Sequence, residues 1–391
     1  MSSASRLTGL RGAERLLADL LATNGPSTRT ELARLAELPV STVTSATGRM
    51  LARGDLEEVP QIPGSLPRRG RPAARLRLSP RAHLTGVVVL TPRTIRTALV
   101  GDDGSVAGRE EVAFDWLQCS DVVAECIQRL GAARRRSGLD AAIDHVVLGR
   151  PGPHQQGVGM PLLTPHPEPS GAASPPAAAW LLDDVQPALE EAFDAPATVE
   201  NDANLAALGE AGFGVAAGLQ HVVHLKLVTG MGAGVIVNGQ LVRGAHGLAG
   251  QLSHLTVDLG GPLCACGSRG CLGKVATADQ LLDSARSAFG LGIDMFDLLG
   301  LSAQGDHGVR RILEDLGELV GRHLAPFCVM LDPQMLVIDG TLGPAAAPVI
   351  TGLRNGLRRS VPPVMSRSLQ ITTGTLGTDA ELLGAARLTR V

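Results

Sequence analysis

Between Gly247 and Gly273 the sequence reads GLAGQLSHLTVDLGGPLCACGSRGCLG. Within eighteen residues of it stand one imidazole, His254, and three thiols, Cys264, Cys266 and Cys271. One His and three Cys supply the four soft donors of a closed tetrahedral zinc site, with no position open for a catalytic water. The interleaved glycines let the backbone wrap a single centre, so a structural Zn2+ is the expected cofactor. The bland alternatives are free thiols in a tight loop or a disulfide pair, and a reducing compartment argues against the second. Cys119, Cys126 and Cys328 fall in helical contexts and read as ordinary buried thiols.

At 391 residues the chain has room for two or three domains with buried cores. Its 44% hydrophobic and 19% charged content suits a globular protein. Aromatic residues make up 2% and Tyr is absent, so Leu, Val, Ala and Ile must fill the cores. No run approaches the roughly 18–20 apolar residues of a membrane span. The start, MSSASRLTGLRG, lacks the apolar stretch of a signal peptide, and a cytoplasmic location is expected. The net charge of -3 conceals an asymmetry. Residues 1–80 hold 12 Arg, no Lys and 7 acidic residues, a formal +5, and the remainder carries -8. A basic head on an acidic body suggests that the head meets a polyanion.

In that head Leu10, Leu16, Leu17, Leu20 and Leu21 recur at helical spacing, and Gly25 and Pro26 end the run. Ser27 or Thr28 can cap a second helix, TRTELARLAEL, packed through Leu32, Leu35 and Leu38. A third follows in PVSTVTSATGRMLARG, with Ser41 as the expected N-cap and Val43, Ala46, Met50 and Leu51 on one apolar face. Thr42, Ser45 and Arg49 share another face. A short helix, a tight turn and a helix opening on small polar residues is the helix-turn-helix pattern, in which Ser41, Thr42, Ser45 and Arg49 reach DNA. DLEEVP and ARLRL (74–78) then read as a hairpin whose tip carries Arg68, Arg69 and Arg71. Such a basic wing suits a phosphate or minor-groove contact. The competing reading is a small helical adaptor with a solvated basic loop. We therefore expect a winged helix-turn-helix over residues 1–80 and a double-stranded DNA operator as partner.

From His83 onward strands alternate with helices, which indicates an α/β architecture. Strands are expected at 86–90, 98–100, 145–149, 221–228, 234–237 and 335–340. Helices are expected in AWLLDDVQPALEEAF, ADQLLDSARSAF and VRRILEDLGELVGRHLAPFCVML. The Pro/Ala/Ser-rich segment 165–179 reads as a loop. Taken with VENDANLAALGE and GMGAGVIVNGQLVRG, the cysteine segment resembles the ROK family (repressors, open reading frames and kinases). The resemblance spans 83–391. It implies an actin-like ATPase fold of the sugar-kinase type over 81–391. One lobe would cover about 81–200 and a second about 201–391, with C-terminal helices able to return to the first. It also implies a zinc that shapes the cleft, and homodimers or homotetramers.

A kinase of this family opens on a phosphate-cradling DxGGT loop, whose exposed N–H groups hold the nucleotide. Here the corresponding bend is LTPRT: Pro92 has no N–H, and no Gly or Asp is present. Asp202 matches the family's catalytic base and Asn201 a sugar-binding residue, although the pair can equally cap the following helix. His254 matches a residue that ligates zinc near the sugar. Gln251 stands where the family has the Glu of GExGH, Ser253 replaces a glycine, and Gly273 stands where CLE would end. Gly230, Gly232 and Gly234 serve a hairpin as well as a phosphate. The expectation is a DNA-binding transcriptional regulator of carbohydrate or related metabolism. Its kinase-like body would be catalytically degenerate and sense a sugar or sugar phosphate through Asn201, Asp202, Gln251 and His254. The alternative is a sugar kinase with an appended DNA-binding head.

Overall fold

The computed structural model describes the chain outside residues 1–12, 15, 18–19, 22–24, 54, 60–73, 79–82, 92, 116–118, 140–141, 154–184, 228–229, 265, 277–281, 284, 288–289, 291–292, 294 and 390–391. It divides into two compact units, residues 1–83 with 387–391, and residues 84–386.

In the first unit, helix α1 (Arg29–Ala36) begins at a capping box. The Thr28 hydroxyl accepts from the Glu31 N–H, and the Glu31 carboxylate accepts from the Thr28 N–H. The helix stops where Glu37 turns left-handed, at φ 55°. Helix α2 (Val40–Arg53) follows. It starts two residues earlier than a Ser41 cap implies, so Ser41 lies inside the first turn and is not the N-cap. Val43, Ala46 and Met50 are fully buried and pack with Leu17, Leu21 and Leu32. Strands β1 (Ser27–Thr28), β2 (Leu56–Val59) and β3 (Arg75–Leu78) form an antiparallel sheet in the order β1-β3-β2, so the expected hairpin is present. The expected hairpin tip with Arg68, Arg69 and Arg71 lies outside the described residues.

The second unit builds the same sheet plan twice. Strands β4 (Leu84–Leu90), β5 (Thr94–Gly101), β6 (Val106–Ala113), β7 (His145–Arg150) and β8 (Ala197–Asn201) are ordered β6-β5-β4-β7-β8. The pairs among β4, β5 and β6 are antiparallel, and those from β4 through β7 to β8 are parallel. Strands β9 (Val222–Lys226), β10 (Gly232–Val237), β11 (Gln240–Leu241), β12 (Met335–Ile338) and β13 (Gln370–Thr373) repeat the plan as β11-β10-β9-β12-β13. Parallel neighbours need crossovers, which helices α3 (Val122–Ser137) and α4 (Gln186–Phe193) supply in the first half. The expected loop 165–179 and parts of ADQLLDSARSAF lie outside the described residues.

Helix α5 (Asp202–Phe213) is almost wholly buried, because both halves of the unit press on it. It meets β10 at Gly234, where an added Cβ would lie 2.4 Å from that of Ala207. It meets the C-terminal helix α6 (Ala380–Leu388) at Gly384, where an added Cβ would lie 1.8 Å from the Leu205 carbonyl oxygen. Gly384→Ala is therefore expected to destabilise this unit by about 1–3 kcal/mol, since neither backbone can yield. Equilibrium denaturation checks this, and an unchanged midpoint would show that the two helices can move apart.

Candidate functional site

The turn between β4 and β5 closes on itself. Thr91 N–H donates to the Thr94 carbonyl at 2.9 Å. The Thr91 hydroxyl accepts from the N–H groups of Thr94 and Arg93, at 2.9 and 3.3 Å. A phosphate-binding turn must present such N–H groups outward; here the turn's own side chain takes them.

Strand β8 delivers Asn201 and Asp202 to the start of α5. Asn201 is the helix N-cap: its Oδ1 accepts from Ala203 and Asn204 N–H, and its Nδ2 donates to the Gly152 carbonyl at 2.9 Å. The capping reading therefore holds for Asn201, whose amide is engaged at both ends. Asp202 is buried, with Oδ1 accepting from the Ala203 N–H and Oδ2 from the Lys226 ammonium at 2.6 Å. Lys226 also donates to Glu381 at 3.1 Å, and Glu381 accepts from Arg96 at 3.1 Å. All four side chains are at most 7% exposed. Burial alone would lower the Lys226 pKa, but Asp202 and Glu381 outweigh it and the net shift is upward. Burial likewise would raise Glu381, yet Lys226 and Arg96 hold its carboxyl well below the usual range. Lys226 and Glu381 thus stay charged despite their burial. Beside them, Glu200 accepts from Arg243 at 2.7 Å and steadies Asn204.

Gln251 precedes, and His254 ends, the short helical turn Leu252–His254. Among the described residues no hydrogen bond joins either to Asn201 or Asp202, and the Gln251 side chain makes none. Both residues line a cavity of about 320 Å³ with Val223, Val235, Leu324 and Phe327. Strand alternation places Val223 on the opposite face of β9 from Lys226.

The cysteine segment does converge. One donor atom from each of His254, Cys264, Cys266 and Cys271 lies within 4.8 Å of all the others. Cys264 Sγ is 3.6 Å from His254 Nδ1, and Cys266 Sγ is 3.6 Å from Cys271 Sγ. Ligands at Zn–S of about 2.3 Å and Zn–N of about 2.0 Å, set tetrahedrally, have edges of about 3.5–3.8 Å. The donor set therefore has the size of a zinc site, and a disulfide does not describe it. Burial lowers the His254 pKa, favouring the neutral imidazole that binds metal. At Gly270 the close approach is to backbone: φ is +55°, and a Cβ would meet the Asp258 carbonyl at 1.6 Å.

In the first unit Ser41, Thr42, Ser45 and Arg49 all stand exposed on α2. Arg49 has a further partner, since its Nε donates at 2.6 Å to Glu14, which is 1% exposed. It thus braces the first helical segment. The sequence reading missed Arg96, Lys226, Glu381, Glu200 and Arg243. One signal was available: His224 and Lys226, two residues apart, put polar groups on one face of a buried strand.

A family model described as "ROK family" matches residues 93–391. The chain is 30% identical over 209 residues to the xylose repressor of Bacillus spizizenii, covering 54% of each protein. Thus it spans about half the length of that relative. It is 25% identical over 384 residues to the DNA-binding transcriptional repressor Mlc of Escherichia coli, covering 93% of this chain and 89% of Mlc. A solved ROK family transcriptional regulator, a homologue of that protein, superposes with a TM-score of 0.73 at 22% identity, covering 99% of this chain and 96% of its own. A Streptomyces griseus ROK glucokinase, solved with glucose and AMPPNP, gives a TM-score of 0.63 at 25% identity, over 78% of this chain and 98% of its own. The two-lobed sugar-kinase fold is therefore common to this chain and both neighbours.

Proposed function

Because the chain belongs to the ROK family, we propose that it is a sugar-responsive transcriptional repressor that binds DNA through residues 1–80 and has lost phosphoryl transfer. The observation that carries this reading is the Thr91–Thr94 turn, where the N–H groups of Thr91, Arg93 and Thr94 are bonded within the turn itself. The pairing of Asp202 with Lys226 supports it, since the Lys226 ammonium already donates to the Oδ2 that a sugar hydroxyl would use. The repressor relatives support the DNA-binding half.

In this reading the first unit is a winged helix-turn-helix. The small exposed residues Ser41, Thr42 and Ser45 let α2 approach base edges, and the wing arginines Arg68, Arg69 and Arg71 contact phosphates. A homodimer, or a tetramer built from dimers, would present two such heads to an operator with two half-sites. The body senses a sugar or sugar phosphate near Asp202, Gln251 and His254. His254, Cys264, Cys266 and Cys271 hold a structural Zn2+ that pins the loop carrying Gln251. A shift in lobe angle changes head spacing, and a switch of ~100-fold in operator affinity needs only ~2.7 kcal/mol of differential binding.

Arg68→Ala and Arg69→Ala are each expected to weaken operator binding and reduce its salt slope by about one, as loss of one phosphate contact does. Fluorescence anisotropy at several salt concentrations measures both; unchanged slopes remove the wing from the interface. A second reading, a sugar kinase with an appended head, draws on the retained Asp202. ADP release with a panel of sugars, abolished by Asp202→Ala, would establish that reading in place of ours.

A further inference from the structure

We propose that Lys226 is a coupling residue: its ammonium, set between Asp202 and Glu381, transmits the state of Asp202 to helix α6 and, through Arg96, to strand β5. This rests on the reading of Asp202 as part of the ligand site, and it goes beyond that reading by naming the path that leaves the site.

Three observations lead to it. The first is choice of residue. Among 35 basic side chains only two are lysines, Lys226 and Lys274, and the rest are arginine. A chain so biased towards arginine nevertheless has a lysine in the middle of a buried strand. Chemistry gives the reason. An ammonium is a compact charge whose donors can point at two separate carboxylates, whereas a guanidinium is a planar fork suited to one. Lys226 donates to two carboxylates, at 2.6 and 3.1 Å.

The second is connectivity. Asp202 opens α5, Lys226 ends β9 of the second sheet, Glu381 opens α6, and Arg96 lies in β5 of the first sheet. Each link is a charge-assisted hydrogen bond: Asp202 to Lys226, Lys226 to Glu381, Glu381 to Arg96. Arg96 also donates to the Thr378 carbonyl just before α6. Two sheets and two helices are thus joined by one line of four side chains, and only its Asp202 end belongs to the candidate ligand site.

The third is charge balance. Two cations and two anions neutralise one another in a buried setting, so a change at one member is felt by the next with little screening. A hydroxyl donating to Asp202 would share the carboxylate with Lys226. The ammonium would then lean towards Glu381 and alter its hold on Arg96. The polar line supplies the discrete physical link that a claim of coupling requires.

The test reads amide hydrogen exchange by mass spectrometry in the full chain, without ligand, for Asp202→Asn, Lys226→Met and the double variant. Asp202→Asn keeps shape and the helix cap while weakening the Lys226 bond. It is expected to raise exchange at least about fivefold in residues 380–388 and 94–101; the hydrogen bonds of the Asp202 side chain go to Ala203 and Lys226 and to neither segment. The long helix His307–Leu331 should be unaffected, which separates coupling from general loosening. The double variant should exchange no faster than Lys226→Met. Unaltered exchange in 380–388 for Asp202→Asn overturns the proposal even if Lys226→Met fails to fold, and so do additive effects in the double variant. A second arm adds D-glucose or D-xylose. A sugar that binds wild type should change exchange in 380–388, and Lys226→Met should bind it without that change. Persistence of the change in Lys226→Met overturns the coupling. Binding of neither sugar counts against the sensor reading alone, because the ligand-free comparison still decides the coupling.

Discussion

Cys271→Ser is expected to abolish stoichiometric zinc binding and lower the melting temperature of the body by about 10 °C or more. Cys271 is fully buried and bridges to Thr256 across the loop. Apparent binding energies for structural zinc reach about 10–16 kcal/mol in small folded peptides, so even a fraction of that term exceeds most single substitutions. Four donors within 4.8 Å leave their loop with little else at its centre. Metal analysis on the purified variant, with thermal unfolding followed by circular dichroism, makes the measurement. A wild-type preparation that is folded and free of metal would refute the site.

The second large effect belongs to Glu381→Ala. Removing this carboxylate takes one of the two anions from a buried line of four charges. Arg96 keeps the Thr378 carbonyl and Lys226 keeps Asp202, but two cations then share a single carboxylate. Breaking a buried ion pair by deleting one partner costs about 3–5 kcal/mol, and that is the loss expected from chemical denaturation. A loss below about 1 kcal/mol would mean that water already screens the network.

The same network sets the response to acid. The folded state holds the Glu381 pKa below its ordinary value of 4.5, at about 2. The stability this contributes is complete above the unfolded pKa and disappears as pH falls from about 4.5 towards about 2. Lys226 is shifted upward, so its share is present below its ordinary 10.5 and fades only at higher pH. Wild type should therefore lose stability steeply below about pH 4.5, and Glu381→Ala should flatten that slope. Parallel slopes for the two proteins would show that another carboxylate governs acid unfolding.

Much of the fold was readable from local chemistry. Thr28 and Glu31 form the box that starts α1 because the two residues sit three positions apart. The apolar run 87–90 became a strand because a continuous apolar segment must be buried on both faces. Local reading failed at Ser41, where capping was assigned two residues late and the helix starts at Val40. At Asn201 a capping residue and a ligand residue have the same sequence signature. Geometry decided for the cap, with both ends of the amide bonded. Gln251 and His254 were grouped with Asp202 by resemblance; no hydrogen bond joins them to it among the described residues, and both line a cavity with Val223 and Val235.

By itself the sequence determined many of the helices and strands and gathered the four candidate metal ligands in one segment. Periodicity, caps and a ligand set within eighteen residues act over short stretches of chain. Only the tertiary structure decided which buried charges meet. Lys226 finds Asp202 24 residues away and Glu381 155 away, and Arg96 reaches Glu381 across 285. Electrostatic pairing depends on separation in space and on the exclusion of water, and neither is written in the order of residues.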